Sequence, residues 1–242
     1  MRFAKPLLYG FFIVAIIAMG FILWASSALG PEPEALAALR SDDHVAVRLD
    51  EYVVFQPASR RVSTAFVFYP GARVDYRSYA APLRRIAAEG YLVILLPVRL
   101  NLAYFDINAA DRAIDSFGEI RHWVVGGHSL GGVAAATYAG RHDDLDGVVF
   151  WASYPANDML MDMDLRVLSI YGTRDISGLD SFEASRAKLP SNARFVVIDG
   201  GNHSQFGDYG FQPGDNEASI SRAEQQKQVV EATVKFLKEI SE

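Results

Sequence analysis

The feature that most constrains this 242-residue chain is a series of short, continuously apolar runs separated by stretches of helical periodicity. AFVFY at 65–69, LVILL at 92–96, GVVFW at 147–151, VLSIY at 167–171 and FVVI at 195–198 show almost no alternation of polar and apolar residues. A strand wetted on one face would alternate, so these runs fit a parallel sheet covered by helices on both faces. HWVVG at 122–126 joins the series, whereas the mixed pattern VAVRLDEYVVF predicts an antiparallel edge pair at His44 to Leu49 and Tyr52 to Gln56. Helices are expected at Tyr79 to Glu89, Asn108 to Phe117, Leu130 to Gly140, Ser181 to Leu189 and Glu217 to Ile240. The expected fold class is therefore α/β, a three-layer and mostly parallel sheet. The length suits one domain, expected over residues 44–242.

Ahead of that domain, LLYGFFIVAIIAMGFILWA runs nineteen residues from Leu7 to Ala25 without a charge, enough to cross a bilayer as a helix. Residues 1–29 are expected to be a transmembrane anchor or a signal segment. Ser26-Ser27-Ala28 offers small residues at a cleavage position, but the run exceeds the usual signal-peptide core. Arg2 and Lys5 precede it and no positive cluster follows, which places the bulk of the chain outside the cytoplasm and the amino terminus inside. GPEPEALAALRSDD, residues 30–43, reads as a Pro- and Glu-marked linker running into a short helix. Of 23 Lys and Arg, two lie ahead of the apolar run, leaving 21 against 29 Asp and Glu, a net charge of −8. Such an acidic domain repels phosphate backbones, so nucleic acid is not expected as a partner. The absence of cysteine excludes disulfides, thiolate metal sites and a cysteine nucleophile.

Gly127-His128-Ser129-Leu130-Gly131 stands between the run HWVVG and the helical stretch LGGVAAATYAG. The spacing fits G-x-S-x-G, in which a sharp strand-to-helix turn presents a serine hydroxyl at the carboxyl edge of the sheet. The same turn leaves the Leu130 N–H free at a helix amino terminus, where developing negative charge is favoured. Neither glycine pattern that cradles phosphate is present. A serine hydroxyl needs a base, and the base a carboxylate to orient it. Of five histidines, His44, His122 and His142 flank edge or surface elements, and His128 would have to double back on its neighbour. His203, on a glycine-bracketed loop after FVVI, is the expected base. Asp175, delivered by YGTRD after VLSIY, is the expected carboxylate, with Asp180, Asp158 and Asp199 as rivals.

GHSLG, the Asp175 element and the His203 element, in the order Ser129, Asp175, His203, resemble an α/β-hydrolase over roughly residues 44–240. YPGARVD, LNLAYF and GGNHSQFGDYG are similar to a small dienelactone-hydrolase-like group. Dienelactone hydrolases proper use cysteine, so the resemblance implies a serine hydrolase of an ester or amide that works through an acyl-enzyme. It also implies a second oxyanion donor after the AFVFY strand. Tyr69-Pro70-Gly71 replaces the usual His-Gly pair there, and the backbone N–H of Ala72 is the expected donor.

Only ASYPANDMLMDMDLR separates Trp151 from Val167, too short for a lid domain. An open cleft lined by Tyr104, Phe105, Tyr154, Met159, Phe206 and Tyr209 is expected, suited to short-chain or exposed acyl groups. Asp158, Asp162 and Asp164 read as a solvated loop, and neither metal nor cofactor is implied. The function expected is hydrolysis of a small-molecule carboxylic ester. The competing readings are an acyltransferase with the same three side chains and a non-catalytic binding module at the membrane surface.

Overall fold

The computed structural model describes residues 4–58 and 62–242; Arg2, one of the two cations ahead of the apolar run, lies outside them. The apolar runs form strands β1 Val45–Leu49, β2 Val53–Pro57, β3 Thr64–Tyr69, β4 Leu92–Leu95, β5 His122–His128, β6 Gly147–Trp151, β7 Arg166–Gly172 and β8 Arg194–Ile198. They make one sheet in the order β1-β2-β4-β3-β5-β6-β7-β8. Six strands from β4 to β8 run parallel, and β1 and β2 add the antiparallel edge.

Helices α1 Ala4–Ser26, α2 Pro33–Ala38, α3 Ala80–Ala88, α4 Ala109–Asp115, α5 Leu130–Ala139, α6 Leu179–Ser185 and α7 Arg222–Ser241 occupy the remaining periodic stretches. The helix expected at Ser181 to Leu189 runs instead as Leu179–Ser185 and passes into a 3-10 turn, Arg186–Lys188, and two others differ for local reasons. The helix expected from Tyr79 begins instead with a 3-10 turn, Tyr76–Tyr79, whose Asp75 carboxylate accepts the Arg77 N–H. The last helix starts at Arg222 rather than Glu217, because the Ser221 hydroxyl accepts the Glu224 N–H at 3.2 Å and so fixes the first turn.

Strand alternation sorts the core even though both faces are buried. Ala65, Val67 and Tyr69 of β3 pack with α4 and α5, and Phe66 and Phe68 pack with α3 and α7 on the other side. Residues 152–165, between β6 and β7, hold no helix or strand, so this segment forms no helical lid.

The charge-free run is a single helix, α1, and Tyr9–Ser26 is long and apolar enough to cross a membrane. Its carboxyl end is docked. Ala25 is fully buried, and the last free carbonyls of a helix need donors. Arg73 Nε donates to Trp24 O at 3.0 Å and its Nη2 to Ser27 O at 2.9 Å, while Asn101 Nδ2 donates to Ala25 O at 3.2 Å. Leu29 then bridges to Val74, and α2 packs against α3.

Helix α5 is nearly all small or apolar, and its glycines let it approach the sheet closely. A Cβ on Gly127 would overlap the Gly131 carbonyl, and one on Gly131 would overlap the carbonyl oxygens of Tyr69 and Pro70. Backbone cannot yield as a flexible side chain can. Gly131→Ala is expected to cost about 1–3 kcal/mol, read as a lowered unfolding midpoint of the full chain in detergent. Gly118→Ala, where an added Cβ meets nothing within 4 Å, should leave the midpoint unchanged. Equal effects of the two would contradict this packing.

Candidate functional site

Ser129 joins β5 directly to α5 with φ 53 and ψ −123, a conformation that costs a non-glycine residue about 1–3 kcal/mol. The turn is held on three sides. The Ser129 N–H donates to Trp151 O at 3.0 Å, and its carbonyl accepts the Gly132 N–H at 3.0 Å and the Ser153 hydroxyl at 2.6 Å. The Leu130 N–H heads α5, where the first amides of a helix have no partner within it.

Asp175 and His203 come together at the same edge of the sheet. Asp175 follows β7 and His203 follows β8, and His203 Nδ1 lies 3.0 Å from Asp175 Oδ2, with both side chains almost entirely buried. The other Asp175 oxygen accepts the Ser177 N–H at 2.8 Å. A Cβ on Gly172 would overlap the Gly201 carbonyl, so that glycine lets the two loops touch. No hydrogen bond joins Ser129 Oγ to His203 among the described residues. The rings of His203 and of His128, the residue before Ser129, have centroids 4.5 Å apart.

The rival carboxylates lie elsewhere. Asp199 accepts the Thr173 hydroxyl at 3.2 Å, Asp180 sits in the first turn of α6, and Asp158 is exposed. Among the other histidines, His122 pairs with Asp146 at 3.0 Å, His142 with Asp111 at 3.5 Å, and His44 is exposed.

Asp215 and Tyr79, which sequence reasoning did not assign to the site, and His128, which it set aside as the base, support the His203 loop. The Asp215 carboxylate accepts the Ser204 N–H at 2.7 Å, the Ser204 hydroxyl at 2.6 Å and the His203 N–H at 3.4 Å. His128, fully buried, points away from Ser129 Oγ's role as base. Its Nε2 lies 3.1 Å from the His203 carbonyl and its Nδ1 lies 2.8 Å from the Tyr79 hydroxyl, which itself accepts the Gly71 N–H at 3.1 Å. These contacts, with the burial of the ring, assign the tautomer. Tyr79 donates to Nδ1, and Nε2–H donates to the carbonyl, so His128 is neutral. Burial first, then the neighbouring His203, holds its pKa well below the ordinary 6.5. No sequence signal pointed to this chain, because its members lie 49 and 75 residues apart.

Around the expected second donor, the Gly71 N–H goes to Tyr79 and the Arg73 N–H to Asn101 O at 2.8 Å. The Ala72 N–H between them has no partner among the described residues. Of the six side chains expected to line a cleft, Tyr104 and Phe105 are exposed, and Tyr154 is half-buried, edge-on to Phe182 at 5.5 Å. Phe206 and Tyr209 are buried and back His128 from behind. Met159 packs on Gly140 at the far end of α5, roughly 15 Å along that helix from Ser129, so it is not brought to the Ser129 turn. Among the described residues, no group of three or more His, Asp or Glu side chains is arranged to hold a metal ion.

A family model described as the alpha/beta hydrolase family matches residues 65–227, from β3 into α7. A comparison with curated proteins gives no match. Among solved structures, a dienelactone hydrolase from Anabaena variabilis has TM-score 0.63 and 16% identity, covering 80% of this chain and 99% of that one. An esterase/lipase from an uncultured bacterium has TM-score 0.60 and 14% identity, with 86% and 88% covered. The esterase domain of a Rhodothermus marinus protein has TM-score 0.58 and 15% identity, with 76% and 90% covered. These likenesses speak for the fold, and with the match over residues 65–227 the chain belongs to the alpha/beta hydrolase family.

Proposed function

We propose that this protein is a membrane-anchored serine hydrolase that cleaves a carboxylic ester through an acyl-enzyme. The single observation that carries the proposal is the buried Asp175–His203 pair at 3.0 Å, on the sheet edge where the strained Ser129 turn stands. In this reading Ser129 Oγ attacks the ester carbonyl carbon as its proton passes to His203 Nε2. Asp175, bonded to Nδ1, holds the ring and stabilises the imidazolium. The oxyanion formed on the carbonyl oxygen accepts the N–H groups of Leu130 and Ala72. Collapse expels the alcohol, which takes the proton from His203. Water, deprotonated by His203, then attacks the acyl-enzyme, and the acid leaves as Ser129 regains its proton. The missing Ser129–His203 bond is ordinary for a site without substrate, because such bonds tighten only in the complex. Tyr104, Phe105 and Tyr154 are the proposed substrate contacts.

Retention of the anchor has its own support. Cleavage after Ala28 would remove the carbonyls of Trp24, Ala25 and Ser27 that Arg73 and Asn101 bind. With Arg2 and Lys5 ahead of the charge-free run Leu7 to Ala25, the domain faces outward from the cytoplasm.

Hydrolysis of dissolved p-nitrophenyl acetate by the full chain in detergent tests the enzyme reading. Ser129→Ala and His203→Ala are each expected to lower turnover about 10⁴-fold or more, with the fold retained by circular dichroism. Folded variants that keep wild-type turnover would overturn the reading and favour a non-catalytic module.

Neutral His128 ties the base's backbone to the loop that carries Ala72, and it links stability to pH. Below about 6.5 the unfolded chain protonates this residue while the native chain does not. The contribution is therefore complete above that pH and is lost as pH falls toward the lower native value, by up to about 1.4 kcal/mol per pH unit. Urea unfolding of wild type and His128→Gln between about pH 5 and 7 reads this. The variant should be less stable at the top of the range and its curve shallower by that slope; parallel curves would contradict a neutral buried imidazole.

A further inference from the structure

We infer that the catalytic edge of the sheet lies against the membrane surface, and that the substrate is an ester displayed at headgroup level by a bilayer-resident molecule. This deepens the proposed function and rests on its two parts, the anchor and the hydrolase.

A tethered soluble domain would need a slack linker, free to place any face toward the bilayer. Here the domain itself supplies the helix cap. Arg73 donates to Trp24 O and Ser27 O, stacks its guanidinium over the Trp24 ring at 4.8 Å, and brings positive charge to a helix carboxyl end, where the dipole favours it. Asn101 takes the Ala25 carbonyl. The chain then continues without slack, since the Leu29 N–H donates to Arg73 O at 2.8 Å and the Asp75 N–H to Leu29 O at 2.9 Å.

The capping residues belong to the loops after β3 and β4, at the sheet edge that holds Ser129 and His203. Arg73 is the residue next to Ala72, the proposed oxyanion donor, so their Cα atoms are about 3.8 Å apart. The helix end is therefore within about one arginine side chain of the oxyanion site. Arg73, Leu100 and Asn101 all have positive φ, at 55, 54 and 53. Left-handed non-glycine residues persist where surrounding contacts over-determine them, and here they cluster where the loops grip α1.

Depth follows from the helix. Trp24 stands near the exit of a span running from Tyr9 to Ser26, the level that aromatic side chains favour. Phe21, one turn earlier and about 4.5 Å deeper, meets the exposed Phe105 edge-on at 6.0 Å. Tyr104 is 62% exposed beside it. An exposed aromatic pair continuous with a membrane helix at its interfacial turn is suited to the headgroup boundary. An ester carbonyl held at that level by its own lipid anchor would reach Ser129 by lateral diffusion, without leaving the bilayer.

The cysteine-free sequence allows single-cysteine variants of the full chain to carry bimane in phosphatidylcholine vesicles. Probes at Tyr104→Cys, Ile16→Cys and Glu119→Cys report the catalytic edge, the anchor and the opposite edge. The Tyr104 probe should be quenched by lipid carrying a shallow nitroxide and shielded from aqueous iodide, and the Glu119 probe should show the reverse. Iodide quenching at Tyr104 with lipid quenching at Ile16 would overturn the orientation alone. Iodide quenching at Ile16 would overturn the anchor and the inference with it.

A second arm reads the substrate. A fluorogenic acetate ester fixed to the headgroup of a phosphatidylethanolamine should be hydrolysed on the order of 10²-fold faster in the enzyme's own vesicles than in separate protein-free vesicles. Equal rates, or no hydrolysis in either while dissolved p-nitrophenyl acetate is turned over, would overturn the substrate class. Loss of both activities would instead remove the hydrolase reading on which it rests.

Discussion

A hydrogen bond between Asp175 and His203, closed off from water, is the contact on which the proposed chemistry depends. Burying a carboxylate beside an imidazole is costly unless every remaining polar atom finds a partner. Here the second Asp175 oxygen takes the Ser177 N–H, and the His203 backbone is bonded through its N–H to Asp215 and its carbonyl to His128. The pair is thereby held in place before any substrate arrives, which is the condition for electrostatic stabilisation without reorganisation.

That arrangement rests on close approaches that the sheet enforces. Gly172 allows the Asp175 and His203 loops to meet, and Gly131 allows α5 to press on the strand that leads to Ala72. The chain Gly71 to Tyr79 to His128 to the His203 carbonyl then crosses the space between the β3 loop and the β8 loop. The parts proposed to bind the oxyanion and to move the proton are therefore mechanically joined beneath the surface. Arg73, one residue beyond Ala72, extends the connection to the apolar helix α1.

Much of this was legible because it is local. Continuous apolar runs announced strands buried on both faces, and GHSLG announced the turn, since its glycines answer contacts within a few residues. Asp175 and His203 could be placed on one edge because each follows a strand after a glycine. The supporting residues were not legible for the opposite reason. Asp215 acts on backbone amides 11 and 12 residues away, and His128 and Tyr79 meet only through the fold. Met159 and the buried Phe206 and Tyr209 show the same limit, because apolar character does not tell which residue lines a cleft and which packs behind it. The Glu217 boundary was missed although Ser221 and Glu224 carried a readable cap. The docking of α1 depends on a left-handed Arg73 that no residue preference anticipates.

The central claim is that the Ser129 hydroxyl is made nucleophilic by its surroundings. Fluorophosphonate treatment of the folded full chain, followed by mass mapping of the fragment spanning residues 122–141, addresses it directly. One covalent adduct on Ser129 is expected, formed with native protein and absent after denaturation. A folded sample in which that fragment stays unmodified, or in which another serine carries the adduct, would contradict it.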